Sequence, residues 1–116
     1  MIKCFEDRVL IVEDYKPVHT AMQEMLEIWG YSVHVAETNV EALSLALSKD
    51  FTVMIFDYLI LDGPTIDTVL EIQKHKSGVY FYANSADLHS NKELLEAGCH
   101  ESLSKDFNKF INVFIR

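Results

Sequence analysis

A chain of 116 residues is about one domain's worth, which leaves no room for a second catalytic or DNA-binding module beside the first. Apolar residues at 49% and charged residues at 24% are the mix of a folded globular protein and not of a disordered chain. Against 18 Asp and Glu stand 10 Lys and Arg, and the formal charge of -8 repels phosphate backbones and anionic headgroups, so direct nucleic-acid and membrane binding are set aside. The same balance suits basic partners, or carboxylates gathered around a divalent cation.

Cys4 and Cys99 lack metal-type spacing and are too few for a disulfide framework, so free thiols in a reducing compartment are expected. The N-terminal residues mix both charge signs without a signal-peptide core, and no apolar run reaches the roughly 18 to 20 residues that span a bilayer. A cytoplasmic protein is expected.

In chain order, Val9, Leu10, Ile11 and Val12 form the first buried-strand run, and Pro17 suits the first turn of a helix. Met22, Met25, Leu26 and Trp29 continue that helix at 3.6-residue spacing until Gly30 stops it. A second strand covers 32–35. Thr38 or Asn39 can cap a second helix whose Val40, Leu43 and Leu47 share a face, and a third strand covers 52–56. Gly63 and Pro64 mark a turn, and a third helix over 65–75 carries Ile66, Val69 and Leu70 on one stripe. Residues 79–82 form a fourth strand, 87–97 a polar helix with Leu88, Leu94 and Leu95 stopped by Gly98, and 101–104 a fifth strand. In the last helix Phe107, Phe110, Ile111, Phe114 and Ile115 make an apolar stripe that the core is expected to cover.

Strand then helix, five times over, implies a parallel sheet with helices on both faces, because each return to a parallel neighbour needs a crossover. Ligands of such folds bind beyond the carboxyl ends of the strands, where the strand order reverses. Strand one ends in Glu13 and Asp14, strand three in Asp57, strand four in Ala83, Asn84 and Ser85, and strand five in Ser104 and Lys105. Two carboxylates about 4 Å apart repel by roughly 4 kcal/mol at an effective dielectric near 20, so three of them call for a hard cation such as Mg²⁺. Singly, Asp14 reads as a helix cap, Glu13 as a solvated neighbour, Asp57 as turn chemistry and Lys105 as an ordinary surface lysine. Those separate readings do not predict that all four gather at the ligand edge. The five histidines, His19, His34, His75, His89 and His100, show no metal-ligand spacing.

Val9 to Asp14, then Ile55-Phe56-Asp57-Tyr58-Leu59, then Glu96-Ala97-Gly98 and Leu103-Ser104-Lys105, resemble the CheY-like receiver domain of two-component response regulators over nearly the whole chain. The resemblance implies a flavodoxin-like, doubly wound five-stranded parallel sheet, order 2-1-3-4-5, flanked by five helices. It implies one receiver domain over 1–116, with 1–7 as a short N-terminal extension. Asp57 would be the phosphoacceptor, Lys105 the phosphoryl contact, and Asp14, Asp57 and the Leu59 backbone carbonyl the Mg²⁺ ligands, with Glu13 acting through water. The donor would be a sensor histidine kinase or histidine phosphotransfer protein. The chain would be no ordinary enzyme, but would phosphorylate itself from a phosphodonor in the presence of Mg²⁺ and slowly dephosphorylate.

The chain departs from that family at the positions that transmit the signal. Receivers usually carry Thr or Ser at the end of strand four, where counting back from Lys105 places Ala83; other registers would place Ser85 or Tyr82 there. Ser102 stands where an aromatic switch residue is usual, Leu61 where a proline is usual and Thr65 where a glycine is common. A downstream protein partner is expected on the helix 4, strand 5 and helix 5 face, with homodimerisation left open. The alternative function is a pseudo-receiver that binds proteins independently of phosphorylation.

Overall fold

The computed structural model describes residues 7–116, so Cys4 and most of the expected N-terminal extension lie outside the described residues. The elements are β1 (Arg8–Val12), α1 (Lys16–Ile28), β2 (Ser32–Ala36), α2 (Asn39–Ser48), β3 (Val53–Phe56), β4 (Leu59–Ile60), β5 (Gly63–Pro64), α3 (Ile66–His75), β6 (Tyr80–Ala83), α4 (Leu88–Glu96), β7 (Glu101–Ser102) and α5 (Phe107–Phe114). β2, β1, β3, β6 and β7 form one parallel sheet in that order. Numbering only these five strands gives 2-1-3-4-5, the flavodoxin-like order. β4 and β5 form a separate antiparallel hairpin.

Helices cover both faces, and this explains why the central strands read as unbroken apolar runs. Val9, Ile11, Ile55, Tyr82 and Leu103 pack under α1 and α5 with Met22, Leu26, Phe110 and Phe114. Leu10, Val12, Met54, Phe56 and Phe81 pack under α2, α3 and α4 with Ala42, Ala46, Val69, Ile72 and Leu94. No helix among the described residues is long and apolar enough to cross a membrane.

Pro17 lies in the first turn of α1 as expected, and Gly30 closes that helix at φ 96°, a left-handed conformation open to glycine. Gly98 adopts φ 121°, a conformation that L side chains rarely take, and the exposed Gln73 amide lies over it, its Nε2 donating to the Ala97 carbonyl.

Several apolar faces differ from the sequence expectation. α2 turns Ala42 and Ala46 to the core and leaves Val40 and Leu47 exposed, because a helix lying close on the sheet accommodates small side chains where larger ones would hold it off. Leu70 of α3 is exposed while Thr68, Val69 and Ile72 are buried. Of the three α4 leucines only Leu94 is deeply buried; Leu88 is 83% exposed and Leu95 also faces solvent, so they are not one buried face. Ile115 lies past the end of α5 and is exposed. β7 stops at Ser102 instead of Ser104, since Ser104 and Lys105 adopt φ 56° and 52° and cannot extend a strand. Gly63 and Pro64 lie in the second strand of the hairpin, and the turn falls on Leu61 and Asp62.

Candidate functional site

Backbone pairing runs one residue beyond the strands and fixes the carboxylates at their carboxyl edge. The Glu13 N–H donates to the Ala36 carbonyl at 3.0 Å and the Asp57 N–H to the Val12 carbonyl at 2.9 Å. Glu13, Asp14 and Asp57 each offer an oxygen, and these oxygens lie within 4.8 Å of one another. Asp14 does not cap α1: Tyr15 holds the N-cap position, and no side chain caps that end. Glu13 is buried, one carboxylate oxygen accepting the Tyr15 N–H at 3.1 Å and the other lying 2.7 Å from Lys105 Nζ. Lys105 Nζ is also 3.4 Å from Asp57 Oδ2.

Burial first, and the Glu13 charge second, push the Asp57 carboxyl up to about 6, against the opposing pull of Lys105 and of the Tyr58 N–H. Burial works against the Lys105 ammonium, but its hydrogen bond to Glu13 and the charges of Asp57 and Glu13 outweigh it and raise its pKa above the ordinary value. The cluster holds three carboxylates and the ammonium pairs with two of them, so charge remains to be balanced, and an all-oxygen set at this spacing fits a hard divalent cation such as Mg²⁺.

The expected residues Glu13, Asp14, Asp57 and Lys105 are thus brought together, and Leu59 opens the hairpin just after Asp57. Ala83 ends β6, fully buried, in register with Phe56 on one side and Ser102 on the other. Tyr82 points to the opposite face, against Phe114, and the Ser85 hydroxyl accepts the Asp87 N–H at 3.0 Å. Ser102 is half-buried with its hydroxyl 2.8 Å from that of Ser104.

Four residues support the site in ways the sequence did not assign, although Thr65 and Asn84 were named there. Thr65, where a glycine is common, is completely buried, and its hydroxyl donates to the Asp57 carbonyl at 2.6 Å, bracing the loop that leaves the acidic centre. Tyr58 donates its N–H to Asp57 Oδ1 at 2.8 Å and its phenol to Glu93 of α4 at 2.7 Å. Asn91 of α4 is buried and grips Ser85 twice, accepting its N–H at 2.9 Å and donating to its carbonyl at 2.7 Å. Asn84 accepts the Lys105 N–H at 2.8 Å. A buried Asn just after a strand is the one signal that was open to sequence reading, because a buried amide needs partners.

A family model described as the response regulator receiver domain matches residues 9–110. The transcriptional regulatory protein CpxR of Klebsiella pneumoniae is 27% identical over 103 residues, 88% of this chain and 44% of that protein. The chain therefore spans less than half the length of the curated relatives it matches. The chemotaxis protein CheY4 of Vibrio cholerae is similar in structure with a TM-score of 0.81 at 22% identity, covering 92% of each chain. The response regulator TrrA of Thermotoga maritima, solved with Mg²⁺ and BeF, gives 0.77 at 21% identity, covering 94% of this chain and 99% of that one. At such identities the solved structures speak for the fold alone.

Proposed function

This chain belongs to the response regulator receiver domain family of two-component signalling, and we propose that it accepts a phosphoryl group on Asp57 from a phosphohistidine of a sensor kinase or phosphotransfer protein. The observation that carries the reading is the convergence of Glu13, Asp14 and Asp57 within 4.8 Å, with the Lys105 ammonium facing two of them. Asp14, Asp57 and the Leu59 carbonyl would hold Mg²⁺, with Glu13 reaching it through water. The ion, when bound, supplies positive charge toward the transferring phosphoryl oxygens.

Asp57 is the nucleophile. An ionised carboxylate oxygen forms the new P–O bond while the P–N bond of the donor breaks and its electron pair returns to the imidazole. With its carboxyl at about 6 in the cation-free site, Asp57 is mostly ionised at neutral pH, and a cation nearby increases that fraction. Lys105 is held where charge on the equatorial oxygens can be neutralised, so positioning and electrostatics carry the catalysis. The product is an acyl phosphate that water later hydrolyses.

The test is incubation with acetyl phosphate and Mg²⁺, read by intact mass and phosphate-affinity mobility. An adduct labile to both acid and base, and lost in Asp57→Asn, is expected; no adduct in wild type, or an equal adduct in Asp57→Asn, refutes the reading. A second reading, a pseudo-receiver that binds partners without phosphorylation, is favoured by the buried methyl of Ala83 and by Ser102 at the transmitting positions. In that case beryllofluoride leaves partner binding unchanged.

A further inference from the structure

Lys105 is useful only if its ammonium points at Asp57, and its own backbone works against that. Ser104 and Lys105 are consecutive non-glycine residues in the left-handed region, at φ 56° and 52°, a conformation that ordinary L-residues leave unless something holds them. The Lys105 N–H has a side-chain partner, Asn84 Oδ1 at 2.8 Å. Asn84 is suited to this grip. It is 5% exposed, and its own N–H donates to the Phe56 carbonyl at 2.8 Å, one residue before Asp57. Its amide nitrogen has only the Met22 sulfur nearby, at 3.9 Å.

We infer that Asn84 is the positioning residue for Lys105: it ties the strained Ser104–Lys105 turn to the end of β3, so that the ammonium and the Asp57 carboxylate are held in one frame. The inference rests on the phosphoacceptor reading and adds to it the residue that sets the geometry of phosphoryl contact. The hydrogen bonds of Asn84 go to the Lys105 N–H, the Phe56 carbonyl and the Met22 sulfur and not to the carboxylates, so it acts through the lysine backbone.

Separate binding constants for Mg²⁺ and for beryllofluoride test this, read from backbone amide NMR shifts of the full chain at Asp14, Asp57 and Lys105. In Asn84→Ala the Lys105 amide moves from its wild-type position and beryllofluoride binding weakens by about tenfold, the effect of one lost hydrogen bond. Mg²⁺ affinity stays within about threefold, because the carboxylates keep their places; a general loss of structure moves both constants together. Asn84→Asp keeps an acceptor oxygen and retains the Lys105 amide position. Should Asn84→Ala lose the fold, Asn84→Ser, too short to reach the amide, takes its place with the same expectations. Wild-type beryllofluoride affinity in the Ala or Ser variant overturns the inference and leaves the phosphoacceptor reading standing. A parallel loss of Mg²⁺ binding, or a Lys105 amide displaced as far in Asn84→Asp as in Asn84→Ala, also overturns it. Absence of beryllofluoride binding in wild type overturns both.

Discussion

The raised carboxyl of Asp57 sets a cost that the cation-free fold carries at neutral pH. Unfolded, the group ionises near 3.8; folded, at about 6. Between those values the folded chain holds a proton that the unfolded chain has released, so the contribution of Asp57 to stability falls as pH rises through that window. Discounted for solvent screening at a half-open site, the cost at pH 7 is about 1 to 2 kcal/mol. Asp57→Asn is therefore expected to stabilise the Mg²⁺-free chain by that amount at pH 7 and by almost nothing at pH 4, measured as urea unfolding at the two values. Equal stability of the two proteins at pH 7 contradicts the account. Lys105 has the opposite role, since the buried Glu13 carboxylate depends on its ammonium at 2.7 Å. Lys105→Met is expected to cost about 2 to 4 kcal/mol without Mg²⁺, the penalty of a buried charge left unpaired. In urea unfolding repeated with Mg²⁺, part of that loss is recovered, because a second cation then balances the carboxylates.

Among the elements, the loops after β3 and β6 are held by side chains from neighbouring helices. The Asp62 carboxylate at the hairpin tip accepts the N–H groups of Asn39 and Val40, at 2.7 and 3.3 Å, and so caps α2 from outside. Those bonds, the Asn39 N–H foremost, hold its carboxyl below the usual range. Asp62→Ala is expected to speed hydrogen exchange at Asn39 and Val40 by about tenfold while leaving α5 unchanged, a local opening and not a global one. On α4, truncating Asn91 to Ala leaves both the N–H and the carbonyl of Ser85 without their partner in a buried loop. The expected loss is about 2 to 3 kcal/mol in urea unfolding. The five sheet strands and five helices were legible in existence and order because strand runs and helical spacing alternate cleanly, whereas the short β4–β5 hairpin was read as a turn. Which face each helix buries was less so, since Ala42 and Ala46, not the larger Val40 and Leu47, meet the sheet. Composition alone does not say how closely a helix will lie. The candidate site followed the same division: Glu13, Asp14, Asp57 and Lys105 could be read from strand ends, whereas Thr65, Asn84 and Asn91 act through hydrogen bonds that depend on how the loops fold back, across 8, 21 and 6 residues.

At the scale of the whole molecule, the partner surface expected on α4, β7 and α5 would be reached from Asp57 by a route other than a hydroxyl at the end of β6. Ala83 presents a fully buried methyl between Phe56 and Ser102, in the core under α2, α3 and α4. A charge-assisted hydrogen bond from a hydroxyl there would contribute roughly 1.5 to 3 kcal/mol, as large as typical coupling free energies between sites. Without it, the side-chain connections from the site to α4 include the Tyr58 phenol on Glu93, the grip of Asn91 on Ser85 and the Asn91 amide 3.4 Å from the Ser104 hydroxyl. These contacts brace α4 in the present arrangement. Beryllofluoride is accordingly expected to shift amides at Asp57, Tyr58, Ala83 and Lys105 strongly and those from Leu88 to Glu96 weakly. Ala83→Thr adds two heavy atoms to a packed site, so it should destabilise the free chain by about 1 to 3 kcal/mol. It also supplies the missing donor, and beryllofluoride should then shift the α4 amides well beyond their wild-type response. Large α4 shifts already in wild type, unchanged by Ala83→Thr, would place the transmission in the Tyr58 and Asn91 contacts instead.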